Sequence, residues 1–116
     1  MTNIQFDDKT LSIDKNIQIS FKYKISQVLY NDRLLFILLE IPNTVSMGYD
    51  EAHNVFAYNY NGDFVWQIGS RKMMDNTDYV LITLEDENNL YATDYLGRRF
   101  KVNSITGEVS EMRIVK

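Results

Sequence analysis

The fold is decided by the stretch from residue 54 to residue 68, which reads NVFAYNYNGDFVWQI. Two runs rich in β-branched and aromatic residues flank Asn61-Gly62, and an Asn-Gly pair in that position is the strongest short signal for a β-hairpin. A two-residue type I′ turn would place Ala57 opposite Trp66. This register predicts that one face carries Trp66 with Phe64 and Ile68. The tyrosine face would then carry Phe56, Tyr58, Tyr60 and Val65.

The residues before this hairpin also have the patterns of strands. Apolar and polar residues alternate from Ile17 to Ser26, which predicts a strand with one solvated face. The run Leu34–Leu39 is apolar at every position, which predicts a strand covered on both faces. Residues 42–53, PNTVSMGYDEAH, lack a strand pattern and are predicted to form a loop with one helical turn around Tyr49–His53.

The residues after the hairpin divide into short runs separated by turn residues. The predicted strands are Tyr79–Leu84, Leu90–Tyr95, Arg98–Asn103 and Val109–Val115. We therefore expect a single all-β domain over residues 1–116, an antiparallel β-meander of 8–10 strands. A twisted sheet, a sandwich and a small barrel are all compatible with this pattern.

An internal repeat links the two halves of this meander. Residues 57–65, AYNYNGDFV, align with residues 92–100, ATDYLGRRF, at an offset of 35. Repeats of this period are typical of stacked or radially arranged β units. The tyrosine-bearing face is apolar in both copies and is predicted to be the shared core. The opposite face of the second copy carries Asp94, Arg99 and Lys101, so only the Trp66 face of the first copy needs a further cover.

The repeat resembles a known type of hairpin. The pattern VFAYNYNGDFVW, with its echoes LYATDYLGRRF and NSITGEV, is similar to the hairpins of quinoprotein-type (PQQ-like) β-propeller blades, over residues 54–112. The resemblance implies a blade-like meander. A propeller needs at least four blades to close, more than this chain can form, so neither the cofactor nor the enzymatic roles of that family are expected here.

The composition argues against several classes of function and identifies none directly. The chain has 116 residues, 45% hydrophobic, a formal net charge of −4 and no Cys. The acidic balance argues against general nucleic-acid binding, which needs Lys and Arg to displace counterions. The longest apolar run is too short to cross a bilayer, and the first ten residues do not have the pattern of a leader, so we expect no membrane partner and a cytoplasmic location.

The loop 42–53 holds the residues best suited to chemistry. Asp50, Glu51 and His53 could ligate a metal or act as an acid–base pair. A single His without Cys is a poor ligand set, so a solvated loop is the better interpretation. We therefore predict no catalytic residue, no metal site and no cofactor.

These observations favour a non-catalytic protein-binding module over an enzyme. The most specific form of this prediction is a small acidic immunity protein that neutralises a toxin. The partner could instead be a second copy of the chain in a homo-oligomer. A small-ligand-binding β-barrel or sandwich is the alternative. The Trp66 face would be covered by the loop 42–53 or by another chain. The predicted partner-binding residues are Phe64, Trp66, Ile68, Tyr49, Asp50 and His53.

Overall fold

The computed structural model describes residues 2–72 and 76–114, and over these residues the protein is all-β with one helical turn, α1 (Tyr49–Ala52). The eleven strands are β1 (Ile4–Asp7), β2 (Thr10–Ile13), β3 (Ile17–Ser20), β4 (Ile25–Tyr30), β5 (Leu34–Leu39), β6 (Val55–Asn59), β7 (Phe64–Gln67), β8 (Tyr79–Glu85), β9 (Asn89–Asp94), β10 (Arg98–Asn103) and β11 (Val109–Ile114). The all-β prediction is confirmed, but the described residues form eleven strands instead of the predicted 8–10, and β1 and β2 had no predicted counterpart. Val115, the predicted end of the last strand, lies outside the described residues.

The strands form three antiparallel sheets in which neighbours along the chain pair with each other. These are an N-terminal sheet (β1-β2-β3), a central sheet (β4-β5-β6-β7) and a C-terminal sheet (β8 to β11). The predicted single strand over residues 17–26 is wrong, because the chain passes from β3 to β4 between two sheets. Alternation could not reveal this break, since the apolar residues on both sides of it pack into one cluster.

The central sheet is covered on both faces, as the sequence of β5 predicts. Phe36 and Leu38 pack into a cluster shared with the C-terminal sheet. Leu35, Ile37 and Leu39 point the other way, into a cluster shared with the N-terminal sheet. The molecule therefore has three β layers with two cores, and β5 contributes to both.

The β6–β7 hairpin has the predicted pair but not the predicted turn. Ala57 lies opposite Trp66, which confirms that part of the register. The turn is longer than two residues, since the N–H of Asn59 donates to the carbonyl of Asp63 at 3.0 Å. Only Gly62 has positive φ within it, at 86°. The register then shifts next to Ala57, which brings Phe64 opposite Tyr58.

The side chain of Asn59 is the physical reason for this turn. Its Oδ1 accepts hydrogen bonds from the N–H groups of Asn61 and Asp63 at 2.9 and 3.0 Å. Such local bonds favour a right-handed turn over the left-handed pair of a type I′ turn. Asp94, which lies 35 residues after Asn59, forms the equivalent bonds in the second hairpin turn. Its Oδ1 accepts hydrogen bonds from the N–H groups of Leu96 and Arg98 at 3.0 and 2.9 Å.

Because the turns are longer than predicted, the faces that form the shared core also differ from the prediction. In the second hairpin Ala92 lies opposite Phe100, and both are buried in the core shared with the central sheet. Tyr91 is paired with Lys101 and lies on the outer face of the C-terminal sheet. The shared core is therefore formed by the Ala57–Trp66 face of one hairpin and the Ala92–Phe100 face of the other.

Two amide side chains join the central sheet to β8, the edge strand of the C-terminal sheet. Asn54 donates to the carbonyl of Tyr79 at 2.9 Å and accepts from its N–H at 2.8 Å. Gln27 likewise donates to the carbonyl of Ile82 at 3.3 Å and accepts from its N–H at 2.8 Å. Because an amide carries the same donor and acceptor as a peptide group, each side chain substitutes for one residue of a neighbouring strand.

Candidate protein-binding surface

Trp66 and Ile68 lie inside the molecule and have no face for a partner. Trp66 is 5% exposed and Ile68 is fully buried. The indole Nε1 donates to the carbonyl of Ser104 at 3.0 Å, and the ring centroid lies 6.0 Å from that of Phe36. Gly107 covers the ring so closely that a Cβ added there would lie 2.6 Å from it. The cover is thus the C-terminal sheet and its β10–β11 turn, and the expected cover by the loop 42–53 or another chain is wrong.

Phe64 lies on the opposite face from Trp66 and is 57% exposed. The bulge beside Ala57 produces this reversal, because it places Phe64 across from Tyr58 instead of one residue further along. The two rings meet edge to face at 5.8 Å. The predicted grouping of Phe64 with Trp66 is therefore wrong, although Phe64 is accessible to a partner.

Phe64 belongs to a continuous row of rings on the face of the central sheet that points toward the N-terminal sheet. Phe21, from the segment between β3 and β4, packs on Tyr58 at 5.6 Å and on Phe56 at 6.0 Å. We call Phe21, Phe56, Tyr58 and Phe64 the aromatic face. Its first three members are half-buried and Phe64 is exposed, so apolar surface increases toward β7.

The aromatic face reaches solvent at its β7 end, where Phe64 lies on an edge strand. Among the described residues β7 pairs with β6 only. The N-terminal sheet packs against side chains of β4, β5 and β6, and Ile17 lies beside Gly62 in the β6–β7 turn. Val65 is also 39% exposed, so the edge combines unpaired backbone with apolar side chains.

His53 has a structural position beside this face. It is 2% exposed, with Nδ1 2.6 Å from the carbonyl of Tyr49 and Nε2 3.1 Å from the hydroxyl of Ser70. Tyr49 stacks over the ring at 3.9 Å and is itself exposed. The predicted solvated loop is therefore wrong at His53, whose two nitrogens both bind within the chain.

Asp50 connects α1 to the edge strand. Its Oδ1 accepts a hydrogen bond from Gln67 Nε2 at 3.2 Å, and the same amide donates to the carbonyl of His53 at 3.0 Å. Gln67 lies opposite Phe56, so these bonds place α1 at one end of the aromatic face. The structure thus brings Tyr49, Asp50 and Phe64 to one side of the molecule. Trp66 and Ile68 are buried in the core between the central and C-terminal sheets.

Glu51 holds α1 in place, a role that the sequence reasoning missed. Its carboxylate accepts hydrogen bonds from the hydroxyl of Tyr23 at 2.6 Å and from Lys22 at 3.2 Å. It also accepts from the N–H of Gly48 at 3.0 Å. The Tyr23 hydroxyl is the main reason that the pKa of Glu51 is lowered from 4.5 to about 2, against the opposing effect of burial. The Gly-x-x-Glu spacing, half of a capping box, was the available signal.

A buried ion pair anchors the neighbouring segment. Arg71 donates to Asp94 at 3.1 Å and to the carbonyl of Ala52 at 3.1 Å, and its guanidinium lies 4.4 Å from the ring centroid of Tyr79. Asp94 also receives a bond from Arg98 at 2.7 Å. Arg71 lies 23 residues from Asp94 and 19 residues from Ala52, so no local pattern could reveal these two contacts. Over residues 2–72 and 76–110, no group of three or more His, Asp or Glu side chains is placed to hold a metal ion.

The fold and this surface define a protein of three antiparallel β-sheets with an exposed aromatic face at a sheet edge. The chain belongs to the family described as a domain of unknown function (DUF7957), whose model matches residues 1–114. No curated protein and no solved structure matches the chain. No helix within the described ranges is long and apolar enough to cross a membrane.

Proposed function

We propose that the protein is a non-catalytic protein-binding module whose contact surface is the aromatic face. The observation that carries this proposal is the exposure of Phe64 at the end of a row of packed rings, beside an edge strand. Apolar patches rimmed by polar groups are typical of interaction sites, and aromatic anchors supply much of the binding energy at interfaces.

The polar side chains best suited to catalysis form hydrogen bonds or ion pairs within the chain, and this supports a non-catalytic role. His53 uses both ring nitrogens within the chain, and Glu51 has three hydrogen-bond donors around its carboxylate. Arg71 and Asp94 bind each other in the interior. Each of these groups connects one segment to another, which accounts for its position without a reaction.

The sharpest form of the proposal is an immunity protein that neutralises a toxin. Its support is the small size and the net charge of −4, together with an accessible apolar surface. Phe36, Trp66 and Tyr79 fill the space between the central and C-terminal sheets, so the interior offers less support to the alternative of a small-ligand-binding sandwich.

The test is to express each gene that neighbours this one, alone and together with the protein, and to identify a toxin as a product that arrests growth. We expect the protein to restore growth and to co-purify with the toxin. Phe64→Ser should weaken the complex by about tenfold or more, as expected for an interface anchor. Ile105→Ser is the matched control, because Ile105 is 66% exposed and lies in the β10–β11 turn. Equal binding by both variants, or loss of a measured turnover in a folded His53→Ala variant, would contradict the proposal.

A further inference from the structure

We infer that the partner presents a β-strand with an apolar centre and basic ends, and that this strand pairs with the free edge of β7. The inference rests on the proposed function and names the chemistry of its partner. It draws on three features of the edge: the direction of its backbone groups, its apolar side chains and the charges at its two ends.

The backbone of β7 offers hydrogen-bonding groups to another strand. The N–H of Ile68 donates to the carbonyl of Val55 at 2.9 Å, which makes Val55 and Ile68 a hydrogen-bonded pair. Bonded and non-bonded pairs alternate in an antiparallel ladder, so the N–H and C=O of Gln67 point away from β6. A peptide that adds a strand to a sheet edge uses groups of this kind.

The side chains next to this edge suit an apolar strand centre. Phe64 and Val65 are 57% and 39% exposed, and Tyr58 continues the apolar surface inward. An added strand would place alternate side chains beside these rings. Main-chain pairing would then supply affinity and the aromatic face would select the central residues of the partner.

Acidic residues lie at both ends of β7. Asp63 precedes the strand and Asp50 binds Gln67 at its other end, and both are exposed. Their described partners are neutral amides, Asn59 at 3.4 Å and Gln67 at 3.2 Å, and none of the cations in residues 2–72 and 76–110 forms an ion pair with either. Two uncompensated negative charges favour a strand that has Lys or Arg near each end.

The same charges argue against a second copy of the chain as the occupant. Antiparallel pairing of β7 with another β7 would bring Asp63 of one molecule toward the Gln67–Asp50 end of the other. Like charges would meet at both ends of such a dimer, which disfavours it. The two-fold arrangement therefore lacks the complementarity that a basic-ended strand provides.

The experiment uses the full chain and two twelve-residue peptides with the same central alternation of Val and Thr. One peptide ends in Lys-Lys on both sides and the other in Glu-Glu. By fluorescence anisotropy we expect the lysine peptide to bind about tenfold more tightly. Bound peptide should slow hydrogen exchange at the Gln67 amide, and sedimentation of the free protein should show a monomer.

Charge reversal provides the decisive control. Asp50→Lys with Asp63→Lys should reverse the preference between the two peptides. Asp7→Lys with Asp86→Lys makes the same change in net charge in the N-terminal sheet and the β8–β9 turn, and it should leave the preference unchanged. Asp50→Asn with Asp63→Asn repeats the test should the lysine variant fail to fold. Absence of peptide binding, an unchanged preference or a dimer would overturn the inference. If Phe64→Ser still weakened a toxin complex while these charge changes did not, the proposed function would survive without it.

Discussion

Replacing Trp66 with Ala should destabilise the protein strongly, because the indole fills the core between the central and C-terminal sheets. The side chain is 5% exposed, packs on Phe36 and binds the carbonyl of Ser104. Truncation of a buried aromatic costs about 3–5 kcal/mol through lost burial and the cavity that remains. A carbonyl left without its donor adds to the loss. Since small domains are stable by about 5–15 kcal/mol, the loss would be a large part of the free energy of unfolding.

Urea unfolding followed by far-UV circular dichroism measures this effect, since the variant lacks the protein's single Trp. Trp66→Phe keeps much of the volume and removes the N–H donor, so it should cost less, about 1–3 kcal/mol, and stay measurable if Trp66→Ala does not fold. Phe64→Ala, two positions away in the same strand, should cost under about 1 kcal/mol because its ring is largely exposed. Similar losses for Trp66→Ala and Phe64→Ala would refute the assignment of their faces.

Three further predictions test the turns and the α1 segment. Glu51→Gln should lower the free energy of unfolding at neutral pH by about 1–3 kcal/mol. Because folding lowers the pKa of Glu51 from 4.5 to about 2, the stability it supplies is complete above pH 4.5 and is lost as the pH falls toward 2. Urea titrations of both proteins across that range should converge, and a constant difference would contradict the assignment. Gly62→Ala and Gly97→Ala both force Ala to positive φ, 86° and 83°, which costs about 1–3 kcal/mol. Gly62→Ala should cost more in thermal unfolding, since its Cβ would lie 2.5 Å from Ile17 whereas Gly97 has open space, and equal losses would show that this contact is relieved. His53→Ala should destabilise the protein without abolishing any activity measured for it, and selective loss of turnover in a folded variant would show catalysis.

The sequence predicted those features of the fold that depend on neighbouring residues. Six consecutive apolar residues in β5 required cover on both faces, and the structure supplies two clusters. The Ala57–Trp66 pair was also predicted, because the Asn-Gly signal locates a hairpin. The turn itself was not, since the competing hydrogen bonds of the Asn59 side chain shift the register by one residue. That single shift moved Phe64 to the other face, and with it the predicted binding surface.

The candidate site was predicted less well because its parts come from distant segments. Tyr49, Asp50 and Phe64 do reach one side of the molecule, but through Gln67, which no motif singled out. The ion-pair partner of Arg71 lies 23 residues away, and the side chains that bind Glu51 lie 28 and 29 residues away. Spacings of this size carry no local periodicity, so only the assembled sheets show which polar groups meet.

The amide bridges from Asn54 and Gln27 to β8 have a consequence for the order of folding. If the C-terminal sheet forms before the central sheet packs against it, Tyr79 and Ile82 present an open strand edge on which another chain can add. Packing of the central sheet supplies the missing partners from within the same chain. At Tyr79 and Ile82 the hazard of edge-to-edge aggregation is thereby confined to the lifetime of the folding intermediate.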